Sequence, residues 1–139
     1  MEAMIRSYSA HHSGRIGANI GYDESLAHLI YAGADTLAIP SRFEPCGLTQ
    51  MIAMRYGTLP VARATGGLVD TIQHDRSGFL FENANATGFL WASGIARGAY
   101  EAKDHWQMMI QTAMRQDFSW ARSAQRYLDL YKTIAKIDS

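Results

Sequence analysis

The fold is decided by residues 36–64, which read TLAIPSRFEPCGLTQMIAMRYGTLPVARA. An apolar run opens this stretch, an amphipathic helical pattern occupies its middle, and a second apolar run closes it. Pro40 ends the first run, because proline holds the residue before it in extended geometry, and Gly57 ends the helical pattern. The order strand, helix, strand predicts a βαβ unit whose two strands are parallel.

The alternation of short apolar runs and helical patterns continues on both sides of this unit. It predicts strands at Ile16–Tyr22, Thr36–Ile39, Leu59–Ala64 and Phe79–Phe81. Helices are predicted at Met1–Ser13, Glu24–Ala32, Gly47–Tyr56 and Leu68–Gln73, and from Thr87 to Ile137 with a break at Asp117–Ser119. A doubly wound nucleotide-binding domain has about six strands. The predicted fold class is therefore α/β, an incomplete Rossmann-like parallel sheet flanked by helices, with residues 1–139 forming one partial domain.

The composition excludes several classes of function. Thirteen basic and thirteen acidic residues give a formal net charge of zero, so no general attraction to nucleic acid or to an anionic membrane is expected. The single cysteine, Cys46, cannot form an internal disulfide or a cysteine zinc site, and the five histidines share no metal-ligand spacing. We expect no metal, no cofactor and no membrane span in a soluble, cytoplasmic protein.

The most informative polar pattern lies between residues 40 and 50, where a strand ends and a helix begins. Ligands of parallel sheets bind at such places. The amides of Gly47, Leu48 and Thr49, with the positive end of the helix dipole, favour an anion such as a phosphate. Glu44 is poorly placed for phosphate but can accept hydrogen bonds from sugar hydroxyls. The pattern suggests a nucleotide-sugar site, although a capped helix beside a solvated glutamate would account for the same spacing.

Other residues near this site each admit two interpretations. Cys46 is either a reactive thiol at a helix N-terminus or a small residue that fits against the sugar. Gln50 begins the second turn of the helix and could face the ligand or the sheet, so it is not assigned to the site. Three arginines either approach the anion or are simply solvated: Arg42, Arg55 and Arg63.

These residues resemble a known family. The string Ser41–Gln50, followed by Arg55–Gly57 and Thr65–Leu68, closely resembles bacterial glycogen synthases and plant starch synthases. Further matches lie at Ile20–Tyr22, Tyr31–Asp35 and Asp117–Trp120, with Ser123, Ala124 and Tyr127, and the least typical stretch is Gly88–Ala102. The resemblance covers nearly the whole chain but only the last third or so of a full synthase.

The resemblance implies a GT-B glycosyltransferase, in which two Rossmann-like domains close over a cleft, and this chain looks like most of the C-terminal one. The donor would be ADP-glucose. Glu44 resembles the family's glutamate that contacts hydroxyls of the donor sugar and is the candidate catalytic residue, and Tyr22 resembles the aromatic residue that stacks on adenine. The other substrate-binding residues by this resemblance are Cys46, Gly47, Leu48 and Thr49, which line the glucose and diphosphate, and Gly66 and Gly67, whose turn packs near the same cleft.

By this resemblance the chain would be the donor-binding part of a retaining α-1,4-glucan synthase, which transfers glucose from ADP-glucose to the non-reducing end of a glucan. Two parts of the family pattern are absent from the sequence: the Arg-Leu-x-x-Gln-Lys-Gly string that neutralises the departing diphosphate, and the acceptor-side N-terminal domain. The isolated chain is therefore expected to bind ADP or ADP-glucose but to be nearly inert. A glucan acceptor would bind only with an N-terminal domain.

The expected partner is a complementing N-terminal domain, to which a terminal helix at residues 119–139 would cross, or a second copy of the chain. An open sheet edge and exposed aromatic residues both favour such association. Two other functions stay open. The chain could be a non-catalytic module that binds an adenine nucleotide, or a degenerate fragment that keeps the fold without a ligand. Binding of ADP separates the first two functions from the third.

Overall fold

The computed structural model describes residues 2–137, with side chains described up to residue 135. The predicted helical positions Met1, Asp138 and Ser139 lie outside the described residues. In chain order the elements are α1 Glu2–His11, α2 Glu24–Gly33, β1 Thr36–Ile39, α3 Thr49–Tyr56, β2 Leu59–Arg63, α4 Gly67–Thr71, β3 Phe79–Phe81, α5 Ala86–Glu101, α6 Lys103–Arg115 and α7 Trp120–Ile137.

The three strands form one sheet in the order β1, β2, β3, and every pairing is parallel. Thr36 pairs with Leu59 at the start of β1 and β2, and Val61 pairs with Phe79 where β3 joins. The central strand β2 is buried along nearly its whole length, as is typical of a parallel strand covered on both faces. Helices flank this sheet, which confirms the predicted α/β class.

The core lies between the sheet and helices α3, α5 and α6. Phe79 of β3 stacks on Trp106 of α6 with ring centroids 6.4 Å apart, and both side chains are buried. Met54 of α3 and Met109 of α6 belong to the same cluster. Each such side chain contributes about 1.5 to 3 kcal/mol when it is fully buried. These contacts fix α3 on the sheet, and α3 begins at the predicted site.

The predicted first strand, Ile16–Tyr22, is wrong, because this segment is extended chain without strand pairing. A strand needs a neighbour that pairs with its amides and carbonyls. β1 is an edge strand, and no described residue pairs with its free edge. The described residues therefore form a sheet of three strands instead of the predicted four, and Ile16 and Tyr22 stay exposed.

Two predicted helix boundaries also differ from the structure. The helix predicted from Gly47 begins at Thr49, because Gly47 has a φ of +71°, which an α-helix does not accommodate. The helix predicted from residue 87 onward is interrupted at Ala102, where α5 ends and α6 begins. This turn lets α5 and α6 pack against each other while α6 still directs Trp106 and Met109 into the core.

None of the described helices combines the length and the apolar character that crossing a bilayer requires. Residues 2–137 also contain no group of three or more His, Cys, Asp or Glu side chains that could hold a metal ion. Three of the histidines form separate hydrogen bonds. His28 bonds to Tyr56, His74 to the amide of Leu80, and His105 to Asp75.

Candidate functional site

The loop between β1 and α3, residues 40–48, lies at the carboxyl end of the sheet. Leu48 is the N-cap of α3 and gives the helix no side-chain hydrogen bond. The amides of the first turn are therefore open to a ligand, with the positive end of the helix dipole behind them. Thr49, the first residue of α3, is exposed and adds a hydroxyl. This end of α3 has the features of an anion site.

Gln50 lies beneath the β1–α3 loop and is fully buried. Its amide nitrogen donates to the backbone oxygens of Cys46 (3.2 Å) and Gly47 (2.8 Å) and to the hydroxyl of Thr71 (3.0 Å). Thr71 in turn donates to the backbone oxygen of Gly67 at 2.7 Å. Gln50 is not assigned to the site by its sequence pattern, and the structure shows that it ties the loop to α4.

The spacing of the buried residues in α3 is the signal that could have identified Gln50. Gln50, Ala53 and Met54 are all buried, at the i, i+3, i+4 spacing of one helical face. A glutamine on such a face needs hydrogen bonds to offset its burial. Its Oε1 atom is buried and has no partner, so all of its hydrogen bonds run from the amide nitrogen. The orientation of Gln50 is thereby set by the carbonyl oxygens of the loop.

The turn after β2 packs directly on the β1–α3 loop. The amide of Gly67 donates to the backbone oxygens of Glu44 (3.2 Å) and Pro45 (3.3 Å). A Cβ atom at Gly66, which has a φ of +48°, would lie 1.9 Å from the backbone oxygen of Glu44. One at Gly67 would lie 2.3 Å from that of Cys46. This close approach requires both glycines. Their contact with a ligand stays a prediction.

Glu44 is half-buried, and hydrogen bonds hold both its side chain and its backbone. Its carboxylate accepts a hydrogen bond of 3.3 Å from the hydroxyl of Ser41, while its backbone oxygen accepts from Gly67. A carboxylate can accept about four hydrogen bonds, so most of its capacity stays open. Glu44 is thus fixed in position and still able to accept hydrogen bonds from sugar hydroxyls.

The interpretations of two arginines are corrected by the structure. Arg63, at the end of β2, donates from Nε to the backbone oxygen of Ser41 at 2.7 Å and from a terminal nitrogen to that of Arg42. Arg55 donates to the backbone oxygen of Met114 at 2.9 Å. Neither residue is simply solvated, and both bind the backbone. Arg63 therefore supports the loop that carries Glu44.

The outer surface of the β1–α3 loop is exposed. Leu48 is 68% exposed despite its apolar side chain, and Cys46 is an exposed free thiol. Together with the turn after β2, the loop forms one continuous surface at the carboxyl end of the sheet. This surface brings together the predicted site residues Glu44, Cys46, Gly47, Leu48, Thr49, Gly66 and Gly67.

No hydrogen bond or ring contact joins the Tyr22 side chain to this surface. It precedes Asp23, which caps α2 by accepting a hydrogen bond from the amide of Leu26 at 2.9 Å. Its side chain is 92% exposed and forms no hydrogen bond or ring contact with the described residues. α2 ends beside the start of β2, where Thr58 donates to the backbone oxygen of Ala34 at 2.7 Å. The N-terminus of α2, and Tyr22 with it, therefore points away from the amino end of the sheet and toward the end that carries the β1–α3 loop.

Comparison with known proteins decides the family. Residues 17–94, more than half of the chain, match the family described as "Glycosyl transferases group 1". The chain belongs to this family. The β1–α3 loop and the turn after β2 both lie within the matched residues.

The most similar relatives of this glycosyltransferase include glycogen synthases. That of Paramagnetospirillum magneticum is 48% identical over 96% of this chain and 29% of its own length. That of Thermodesulfovibrio yellowstonii is 47% identical over 94% of this chain and 26% of its own length. The chain thus spans less than a third of the length of these relatives. The resemblance predicted from the sequence is confirmed.

A solved structure extends the similarity to the fold. The catalytic domain of starch synthase IV from Arabidopsis thaliana, bound to ADP and acarbose, matches this glycosyltransferase with a TM-score of 0.80 and 39% identity. The match covers 94% of this chain and 29% of that one. The three-stranded parallel sheet with its flanking helices therefore matches C-terminal GT-B domains, as predicted.

Proposed function

We propose that the chain is the donor-binding part of a retaining α-1,4-glucan synthase, which transfers glucose from ADP-glucose to the non-reducing end of a glucan. The observation that carries this proposal is the open N-terminus of α3, fixed from below by Gln50 and lying beside the held carboxylate of Glu44. The similarity to glycogen synthases and to a starch synthase bound to ADP supports ADP-glucose as the donor.

The diphosphate of the donor would lie against the amides of Gly47, Leu48 and Thr49. Gly47 has a φ of +71°, and an added Cβ would lie 2.5 Å from Oε1 of Gln50, so glycine is required for the loop to close over that side chain. The hydroxyl of Thr49 donates a further hydrogen bond. Cys46 packs against the glucose as a small residue. The amides need no rearrangement on binding, because Gln50 already holds the loop from which they project.

Glu44 would accept hydrogen bonds from hydroxyls of the donor glucose and so orient its anomeric carbon. The bond from this carbon to the diphosphate breaks as the bond to the acceptor hydroxyl forms on the same face, through an oxocarbenium-like transition state. A double displacement would need a carboxylate nucleophile. Among the described residues we place only the Glu44 carboxylate at this site, and it is assigned to holding the sugar.

Tyr22 would stack on the adenine ring. Its side chain is almost fully exposed, so a base can cover it without displacing another contact. Stacking buries apolar surface on both rings and is independent of the phosphate contacts. The proposal thus divides recognition of the donor between an aromatic ring for the base and backbone amides for the diphosphate.

The cations that neutralise the departing diphosphate are assigned to an earlier element of the same domain and the acceptor to an N-terminal domain, because the chain spans less than a third of its relatives' length. The chain alone would then bind the donor without transferring glucose. Within this proposal α7, whose Trp120 is 89% exposed, crosses to that domain, or a second copy of the chain covers it. The cytoplasmic location expected from the sequence belongs to the same proposal.

Calorimetric titration of the chain with ADP, ADP-glucose and UDP-glucose tests the proposal. We expect ADP and ADP-glucose to bind and UDP-glucose to bind more weakly. The Glu44→Ala variant should lose about tenfold in ADP-glucose affinity, while its ADP affinity stays within about threefold, because the carboxylate contacts the sugar alone. Glu101→Ala, which removes an exposed carboxylate at the far end of α5, is the matched control.

The alternatives predict different results. A fragment without a ligand binds none of the three compounds. A module that only binds adenine nucleotides binds ADP and ADP-glucose equally, and Glu44→Ala has no effect on either. In a full-length enzyme that carries this sequence, Glu44→Ala should lower turnover by orders of magnitude.

A further inference from the structure

A second cavity lies at the carboxyl end of the sheet and is not part of the proposed donor site. Its volume is about 660 Å³, within the range of small-ligand pockets. It is lined by Ala64, which follows β2, by Glu82, which follows β3, and by Trp91 from the second turn of α5. The cavity is therefore built from the ends of two strands and the start of a helix, as ligand sites in parallel sheets are.

One wall of the cavity is a pair of parallel aromatic rings. The indole of Trp91 and the imidazole of His74 have centroids 6.3 Å apart and planes inclined by only 4°. The imidazole is fixed, because Nδ1 accepts a hydrogen bond of 3.0 Å from the amide of Leu80, which leaves the proton of the neutral ring on Nε2. Trp91 is 55% exposed. The fixed imidazole of His74 thus supports the indole of Trp91, which stays accessible from the cavity.

The rim of the cavity carries polar groups that are not used elsewhere. The side chains of Glu82, Asn83 and Thr87 line it and have no hydrogen-bond partner among the described residues. They supply a carboxylate, an amide and a hydroxyl, which together accept and donate hydrogen bonds. A flat apolar ring next to such groups is suited to a sugar, because a pyranose has an apolar face and hydroxyls around its edge.

The charges of the cavity exclude an anionic ligand. No lysine or arginine of the described chain lines it, and Glu82 is negative. At the N-terminus of α5 the amide of Gly88 is already used, because it donates a hydrogen bond of 2.9 Å to the side chain of Asn85. The base of a nucleotide could stack on the indole, but the phosphates of that nucleotide would contact no lysine or arginine side chain in this cavity. The chemistry favours a neutral ligand.

We propose that this cavity is a subsite for one sugar ring of a neutral oligosaccharide chain. The indole of Trp91 lies under the apolar face of the ring, and the polar rim binds its hydroxyls. The identity of the chain as an α-glucan rests on the proposed function. Ala64 in the cavity wall is two residues from Gly66, which contacts the backbone of Glu44. The cavity therefore begins within about 8 Å of the turn that supports the donor site. An acceptor glucan held in the cavity would lie near the donor.

Titration of the chain with maltoheptaose, followed by calorimetry and by tryptophan fluorescence, tests this subsite. Trp106 is buried, so a fluorescence change on binding reports on Trp91 or Trp120. We expect Trp91→Ala to weaken maltoheptaose binding by about tenfold or more and Trp91→Phe to keep part of the affinity. Trp120→Ala removes an even more exposed indole outside the cavity and should stay within about twofold of the unmodified chain.

Three results would overturn the subsite: no binding of maltoheptaose at millimolar concentration, equal binding by the unmodified chain and Trp91→Ala, or an equal loss of ADP affinity in Trp91→Ala. The last result would assign the cavity to the nucleotide. If Trp91→Ala does not fold, Trp91→Phe and Asn83→Ala decide the question by the same titration. A chain that binds no ADP but binds maltoheptaose through Trp91 would contradict the proposed donor function and support the subsite.

Discussion

Two regions that would recognise the same donor are held in very different ways. The β1–α3 loop is fixed from three sides, by Gln50 from below, by Arg63 from the end of β2 and by Gly67 from the next turn. The Tyr22 segment, residues 16–22, has no strand pairing, and Tyr22 itself is 92% exposed. The anion side of the proposed site is preorganised, whereas the base side is an exposed ring on an extended chain.

The two regions therefore differ in what they contribute to the stability of the fold and to the affinity for the donor. Each backbone contact of the β1–α3 loop joins it to the core, so changes there should lower the free energy of unfolding and the donor affinity together. Changes in the Tyr22 segment should lower the affinity alone, because the segment contributes little to packing.

Gly67→Ala should have the largest effect on folding. A Cβ atom at this position would lie 2.3 Å from the backbone oxygen of Cys46, so the turn and the loop must separate. We expect urea unfolding to show a loss of about 2 to 3 kcal/mol. Gly17→Ala in the Tyr22 segment is the matched control, since nothing lies within 4 Å of its Cβ, and it should change stability by less than about 0.5 kcal/mol. Equal losses in both variants would remove the contrast.

Gln50→Leu should affect folding and binding together. It keeps the apolar contacts but leaves the carbonyl oxygens of Cys46 and Gly47 without their donor, which costs about 1 to 3 kcal/mol. ADP affinity should fall as well, because the loop loses its orientation. Chemical denaturation and ADP titration measure the two losses. Gln111→Leu, at an exposed position of α6, should change neither, and an unaltered ADP affinity in Gln50→Leu would show that Gln50 does not position the site.

Tyr22→Ala should weaken ADP and ADP-glucose by about 1 to 2 kcal/mol through lost stacking, with no change in the midpoint of thermal unfolding. The side chain is exposed, so its removal leaves no cavity. Tyr8→Ala, at another exposed tyrosine, is the control. ADP binding that is the same in Tyr22→Ala and in the unmodified chain would place Tyr22 outside the nucleotide site.

The smallest effect concerns α7, in which residues 120–135 include no buried side chain. The amide of Ser119, 2.8 Å from Asp117, and the hydroxyl of Ser119 hold the pKa of the Asp117 carboxyl below its ordinary value of 3.8. Because the folded-state pKa is depressed, the stabilisation is present above pH 4 and is lost as the pH falls through the lowered pKa. Asp117→Asn should slightly lower the thermal midpoint at pH 7, and its difference from the unmodified chain should shrink as the pH falls below 3.8; a difference that does not shrink would contradict this origin.

The βαβ unit could be predicted because each of its parts is determined locally. Pro40 and Gly57 set the ends of its strand and helix, and apolar runs mark strands that are buried on both faces. The strand predicted at Ile16–Tyr22 failed for a non-local reason, since its pattern is suitable but no neighbour pairs with it. The break at Ala102 was missed because its cause is the packing of α6 on the core.

The residues proposed for the site could be selected from the sequence, but the contacts that support them could not. Spacing and resemblance indicated Glu44 and the loop from Cys46 to Thr49, since those residues lie at a strand end. Arg63 binds backbone oxygens that are distant in sequence, and Gln50 joins its own loop to Thr71 of α4; a single sequence does not reveal such partners. The requirement for glycine at position 67 also depends on a contact across two loops.

Backbone amide spectra of the ¹⁵N-labelled chain, titrated with ADP and separately with adenosine, test the central claim most directly. The claim is that the diphosphate lies on the open start of α3. The account predicts that ADP shifts the amide resonances of Gly47, Leu48 and Thr49 the most, while adenosine, which has no phosphates, leaves these resonances unchanged and affects only those beside Tyr22. Large ADP-induced shifts elsewhere, with these three amides unmoved, would contradict it.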